Sequence, residues 1–246
     1  MKKYLIIACH VLWREFCRYA SVSENGFDFV FLDQGLHNTP DLLRIELQKA
    51  IDVAEAGSSG EKSKKYDAIL VGYGLCSNGI EGIVARTTPL IVPRGHDCIT
   101  FFLGSKERYK EYFDENPGTY WYTAGWIEDG MQPGKERYEL LLNEYTEKYG
   151  EDNAEFLMET EQAWFKEYTN AAFVENDFME QSEYKKFTKE CADFLNWRYS
   201  ELKGDSSLLI SFVKGDWSDD KFQKVVEGEK IIATHDANVI GVTKAD

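Results

Sequence analysis

The sequence predicts an α/β fold, a mainly parallel sheet flanked by helices with a mostly helical insert in the second half. Three observations predict it. Short continuous apolar runs alternate with amphipathic stretches over the first 100 residues. Residues 133 to 203 then become rich in Glu, Lys, Tyr and Phe. Apolar runs of strand length return near the end of the chain. Strand and helix in alternation imply right-handed βαβ units and a parallel sheet covered on both faces.

Tyr4 to Cys9 is apolar throughout after a charged start, as a buried parallel strand should be. Leu12 to Ala20 follows as a short helix and Phe27 to Leu32 as a second strand. Asp41 caps a helix just after Pro40, with Leu42, Leu43, Ile45, Leu47 and Ile51 as its apolar positions. Gly57 to Lys65 is a Gly/Ser/Lys loop. Asp67 to Gly72 is a third strand, Ile80 to Arg86 a short helix, Pro89 to Val92 a fourth strand, and Thr100 to Phe113 mainly helical. In the acidic stretch, Glu144, Glu147, Glu155 and Glu159 are spaced as solvated helix faces, and Phe156, Leu157, Trp164, Phe165 and Tyr168 as packing stripes. Ser207 to Val213, Ile231 to Thr234 and Val239 to Val242 read as strands. Residues 1–246 form a single α/β domain on this reading, with a parallel core over 1–130, a helical insert over 131–205 and a return to the sheet over 206–246.

The 246 residues carry a formal charge of −15, which repels nucleic acid and anionic membrane surfaces. No apolar run approaches the roughly 20 residues of a membrane-spanning helix. Lys2-Lys3 followed by an apolar run to Cys9 mimics a lipoprotein signal, but the run is shorter than the roughly 7–15 residues of a signal core. A cytoplasmic protein is expected. Its five cysteines, an odd number, argue for reduced thiols rather than a disulfide framework.

In a parallel sheet, functional groups gather beyond the carboxyl ends of the strands. Cys9 ends the first predicted strand, Cys76 follows the third in a Gly-rich turn, and His96 and Cys98 follow the fourth. Three thiols and an imidazole suit tetrahedral zinc, and three thiols suit an iron–sulfur cluster with one open iron. Packing is the competing reading, because cysteine is among the most buried residue types. Gly72, Gly74, Gly79 and Gly95 permit tight turns and close approach of a bound group, and Asp97 could orient a ligand imidazole. His96, His37 in the loop after the second strand, and Glu15 on the first helix are the candidate acid/base groups. For His37 a bond to local backbone is the alternative. Cys17 and Cys191, on predicted helices, read as buried packing. Gly104, Ser105 and Lys106, with Arg108 nearby, either present amides to an anion or cap a helix. The aromatic run from Asn116 to Trp126 either walls a pocket for a flat ligand or fills core.

The ordered set Ala8-Cys9-His10-Val11-Leu12-Trp13-Arg14-Glu15, Gly35-Leu36-His37-Asn38, Tyr66 to Cys76, Pro93-Arg94-Gly95-His96-Asp97-Cys98 and Gly104 to Tyr109 resembles a bacterial and archaeal domain of unknown function, number 1638. The Asn116 to Trp126 stretch is similar as well. The resemblance supplies no catalytic residues. It implies a setting of corrinoid-dependent methyl transfer in anaerobes. The expectation is therefore a zinc or iron–sulfur protein of one-carbon metabolism, possessing a Cys/Cys/Cys/His pocket and acting on a small molecule, with corrinoid supplied through a partner. The alternatives are a metal-free accessory protein docking a corrinoid protein or methyltransferase through its acidic helices, and a transferase using a single thiolate.

Overall fold

The structure, a computed structural model, describes residues 1–56 and 66–245. The loop expected at 57–65 lies outside the described residues. Where the sequence reading expects one domain, the chain divides into two compact units, Met1–Tyr109 with Asp205–Asp246, and Lys110–Gly204.

The first unit begins with β1 (Lys3–Cys9), a 3-10 turn (His10–Leu12) and α1 (Trp13–Ala20), then β2 (Gly26–Leu32) and α2 (Pro40–Ala56). It continues through β3 (Ala68–Gly72), β4 (Leu90–Pro93) and α3 (Ile99–Leu103), and the division between the units falls within α4 (Lys106–Glu115). Ile80 to Arg86, expected as a helix, is turn and loop, with Val84 in an isolated bridge to Lys230.

The second unit holds β5 (Thr119–Tyr122), α5 (Ala124–Asp129), α6 (Lys135–Tyr149), α7 (Glu151–Glu161), β6 (Asn170–Glu175), α8 (Ser182–Leu195) and β7 (Arg198–Lys203). Its strands pair in the order β5-β6-β7, all parallel. The stretch expected as a helical insert thus contains two strands of a sheet of its own. Tyr122, Phe165, Ala171, Phe173, Cys191, Ala192 and Trp197 form its core. The aromatic run after Pro117 supplies β5, and Tyr122 is fully buried in this core.

The chain then returns to the first unit through α9 (Ser207–Lys214), β8 (Phe222–Val225), β9 (Glu229–Ala233) and β10 (Ile240–Lys244). Residues 207–213, expected as a strand, are helical. Leu208, Leu209, Phe212 and Val213 are buried at the one-and-four spacing that keeps a single helix face inward.

The main sheet has the order β2-β1-β3-β4-β8, parallel except for β8, which pairs antiparallel with β4. β9 and β10 form a separate antiparallel pair. β1 lies inside the sheet between β2 and β3, and its apolar continuity follows from that position, since both faces are covered. Ile6 and Ile7 are fully buried, each contributing about 1.5–3 kcal/mol of hydrophobic stabilisation. β1, β3 and β4 therefore end side by side, and register places Ala8 beside Gly72. Among the described residues no helix is long and apolar enough to cross a membrane.

Candidate thiol site

Register decides which side chains meet at the sheet edge. With Ala8 beside Gly72, the next residues along the two strands are Cys9 and Tyr73. Beyond β3 and β4 the two chains stay paired, with Leu75 N donating to Gly95 O and Cys76 N to His96 O, both at 2.8 Å. This pairing holds Cys76 against the 96–98 segment.

Glycine enables the approach. A Cβ at Gly74 would stand 2.7 Å from the Asp97 nitrogen, so no side chain fits between the segments. A Cβ at Gly72 would meet the Ala8 Cβ at 2.5 Å. The sharp turn itself is made by residues with side chains. Cys76, Ser77 and Asn78 have φ values of 47°, 55° and 65°, three consecutive left-handed positions. Each such position costs roughly 1–2 kcal/mol for a residue with a Cβ. The turn is closed by Gly79 N donating to Cys76 O at 2.9 Å. The sequence reading assigned tight turning to the glycines, whereas Gly72 and Gly74 serve close packing and the backbone strain falls on Cys76 and its two successors.

Cys9 and Cys98 are buried and Cys76 is half-buried. The Cys76 sulfur accepts hydrogen bonds from the backbone N–H groups of Gly74 and Cys98. Burial nevertheless pushes the Cys76 thiol well up, and the charges of Asp97 and Cys9 push the same way. Cys9, Cys76 and Cys98 all lie within electrostatic reach of the Tyr73 hydroxyl, as does Asp33. Tyr73 is only 2% exposed, and its hydroxyl has no hydrogen-bond partner among the described residues. Burial, followed by these neighbours, raises its pKa strongly, so the hydroxyl stays neutral. Sequence reasoning gave Tyr73 no role. Its position between Gly72 and Gly74 at a strand end was the available signal.

Asp97 stands beside the thiols. One of its carboxylate oxygens accepts from Ile99 N at 2.9 Å and the other from the Tyr109 hydroxyl at 3.0 Å. Burial raises its pKa, against the opposing effect of the Tyr109 bond. Asp97 therefore has a positioning partner in Tyr109, another residue to which the sequence gave no role.

The other expected site residues fall in varied places. His96 is exposed, its ring centre 6.3 Å from that of Tyr109. His37 bonds locally, its Nδ1 at 2.8 Å from Gln34 O. Glu15 is buried on α1. Ser105 acts as a helix cap, its hydroxyl accepting from Arg108 N at 3.1 Å, and Gly104 ends α3 in a left-handed conformation. Lys106 donates to the Asp220 carbonyl at 2.7 Å and pairs with Glu107. That neighbourhood is built as a helix junction. Of the two cysteines read as buried packing, Cys191 is buried but Cys17 is exposed on α1. Among the described residues no three His, Cys, Asp or Glu side chains are grouped so as to hold a metal ion. The three cysteines lie near one sheet edge without forming a ready coordination shell.

The fold defines an α/β protein with Cys9, Cys76 and Cys98 near the carboxyl edge of its parallel sheet. Residues 31–213 match the family described as "Protein of unknown function (DUF1638)", and the chain belongs to that family. No curated protein and no solved structure matches the chain.

Proposed function

We propose that Cys9, Cys76 and Cys98 are thiolate ligands of a soft metal centre, zinc or an iron–sulfur cluster, in a protein of anaerobic one-carbon metabolism. The supporting observation is the setting of Cys76. Its sulfur accepts two backbone N–H bonds, an arrangement that favours negative charge on sulfur, yet burial and Asp97 oppose that charge. A bound cation resolves the conflict, because a coordinating thiol is deprotonated by the metal itself. Closing a coordination shell requires the three thiols to draw together around the ion. When bound, zinc would activate a thiol or water as a nucleophile, and a cluster with an open iron would bind substrate or pass electrons. His96, at the exposed end of the same segment, serves as fourth ligand or as acid/base. The methyl-transfer setting, with corrinoid on a partner protein, rests on the family resemblance.

A second reading draws on the lack of a ready coordination shell among the described residues. The protein would then be a metal-free accessory that docks a corrinoid protein or methyltransferase. Its docking surface would be the exposed carboxylates of α6 and α7, Glu144, Glu147, Glu155 and Glu159 among them.

Anaerobic purification followed by metal, sulfide and ultraviolet–visible analysis separates the readings. Zinc predicts about one equivalent and no visible absorption, whereas a cluster predicts brown protein with iron and acid-labile sulfide. Cys76→Ala and Cys98→Ala should lose most of the metal, while Cys17→Ala and Cys191→Ala keep it. Well-folded wild type that holds no metal and cannot be reconstituted would replace the metal reading with the accessory one.

A further inference from the structure

The main sheet ends on β2, which pairs with β1 on one side and, among the described residues, with no strand on the other. Two bonds at the start of the sheet fix which way its backbone groups point. Gly26 N donates to Lys2 O, and Asp67 N donates to Lys3 O. Parallel strands send alternate residues to opposite sides, so Gly26, Asp28, Val30 and Leu32 bond β1. The N–H and C=O groups of Phe27, Phe29 and Phe31 therefore face outward. Their side chains form a row on one face of the strand. The rings of Phe27 and Phe29 stack at 6.2 Å between centroids, and those of Phe29 and Phe31 at 5.7 Å. Phe29 is 37% exposed. Open edges are usually guarded by lysine, proline or a bulge, because they template pairing with another chain. β2, Gly26-Phe27-Asp28-Phe29-Val30-Phe31-Leu32, has none of these guards. Its single charge, Asp28, is taken up by Lys3 at 3.1 Å and by the Tyr66 hydroxyl at 2.7 Å.

We propose that β2 is a dimer interface, pairing antiparallel with β2 of a second copy of this chain about a two-fold axis at Phe29, so that two sheets join into one. The strand's own sequence selects this occupant. Phe27 and Phe31 are symmetric about Phe29, so the axis sets Phe29 against the partner's Phe29 and Phe27 against the partner's Phe31. These are the residues whose backbone groups face outward. Each outward N–H then meets an outward carbonyl of the other copy, the hydrogen-bonded pairing of an antiparallel ladder. On the opposite face Asp28 falls across from the partner's Val30, and no like charges meet. Other registers are worse. Centring the pair on Asp28 sets that carboxylate against its own copy, and centring it on Val30 leaves Phe27 without an opposite residue in the strand. An isologous contact needs a patch complementary to itself, which this strand is. A strand from a different protein would require none of that symmetry.

The test measures the mass of the full chain by analytical ultracentrifugation up to roughly 100 μM, where a Kd of about 10 μM leaves mostly dimer. The wild type should be dimeric there and dissociate on dilution. Phe29→Lys and Phe29→Glu each set like charge against like at the axis and should weaken association at least about tenfold. An equimolar mixture of the two should recover the dimer, because the axis sets position 29 against position 29. Phe29→Pro is the second probe. The N–H it removes points outward, so the β1 ladder keeps its bonds while self-pairing is blocked. Far-ultraviolet circular dichroism and urea midpoints check that each variant is folded, and if the charged variants fail that check Phe29→Pro alone decides. A wild type that stays monomeric over the whole range overturns the proposal and leaves the edge to a strand of another protein. A dimer that survives in the folded variants places the interface elsewhere and overturns it too. So does a mixture of folded Phe29→Lys and Phe29→Glu proteins that remains monomeric.

Discussion

Each unit of the molecule buries a tyrosine beside a cysteine on a parallel strand or its extension, and the two pairs are treated differently. In the second unit, Tyr122 on β5 is fully buried and donates to the Pro133 carbonyl at 3.0 Å, with Cys191 of α8 next to it. A Cβ at Gly134 would meet the Cys191 sulfur at 2.6 Å, so the packing is tight. In the first unit, Tyr73 is equally hidden and lies within electrostatic reach of three sulfurs, but its hydroxyl has no partner among the described residues. The same two residue types make core in one place and a candidate site in the other. What separates them is hydrogen-bond satisfaction and position. Tyr122 lies within a strand, whereas Tyr73 lies just past the carboxyl end of β3, where parallel sheets place ligands.

The comparison breaks most visibly at the glycines. Gly74→Ala puts a methyl group 2.7 Å from the Asp97 main chain, where neither segment can yield without losing the 75–95 and 76–96 bonds. A loss of about 3 kcal/mol or more in urea unfolding is expected. Gly150→Ala in the second unit is the control. Its φ of +83° and ψ of 161° lie in a region essentially confined to glycine, but nothing lies within 4 Å, so only the backbone is penalised, by about 1–3 kcal/mol. Equal losses at the two positions would mean that the close approach at Gly74 is not what holds the thiol segments together.

The tyrosines sharpen it next. Tyr122→Phe leaves the Pro133 carbonyl without its hydroxyl donor and should cost about 1–2 kcal/mol. The same substitution at Tyr73 is expected to stabilise the metal-free protein. Urea midpoints that fall in both variants would erase the distinction between core tyrosine and site tyrosine.

Much of the first unit was legible because its strands are central. β1, β3 and β4 are covered on both faces and so read as unbroken apolar runs, and parallel pairing then puts Cys9, Cys76 and Cys98 at one edge. The second unit hid its sheet. β7, Arg198-Tyr199-Ser200-Glu201-Leu202-Lys203, is an edge strand with half its side chains in solvent, and its charges blend with those of the helices around it. Ser207 to Lys214 failed the other way, since a short run of Leu, Ile, Phe and Val has no period that separates strand from helix. The left-handed turn at Cys76-Ser77-Asn78 carries only Asn78 as a residue tolerant of that conformation. The unpartnered Tyr73 hydroxyl is a property of the folded chain, which no local pattern encodes.

The smallest expected effect lies in the pH dependence of the second unit. Burial, opposed by its contact with Tyr122, pushes the Cys191 thiol from 9.0 up to about 12. A folded pKa above the unfolded one means that the folded state keeps its proton while the unfolded chain releases it. The stabilising contribution is therefore complete below pH 9 and is lost as pH rises towards 12. One proton sets the limit on the slope, about 1.4 kcal/mol per pH unit within that window. Cys191→Ala opens a small cavity and lowers stability at every pH, so the test is the slope and not the level. Urea unfolding between pH 8 and pH 11 should show a shallower decline for Cys191→Ala than for wild type, because the tyrosines and lysines away from Cys191 titrate alike in both. Cys17→Ala, which removes an exposed thiol, should keep most of the wild-type slope. Parallel curves for wild type and Cys191→Ala would show that the Cys191 thiol ionises as readily in the fold as outside it, and Cys191 could then no longer serve as the sealed-core counterpart of the thiols at the sheet edge.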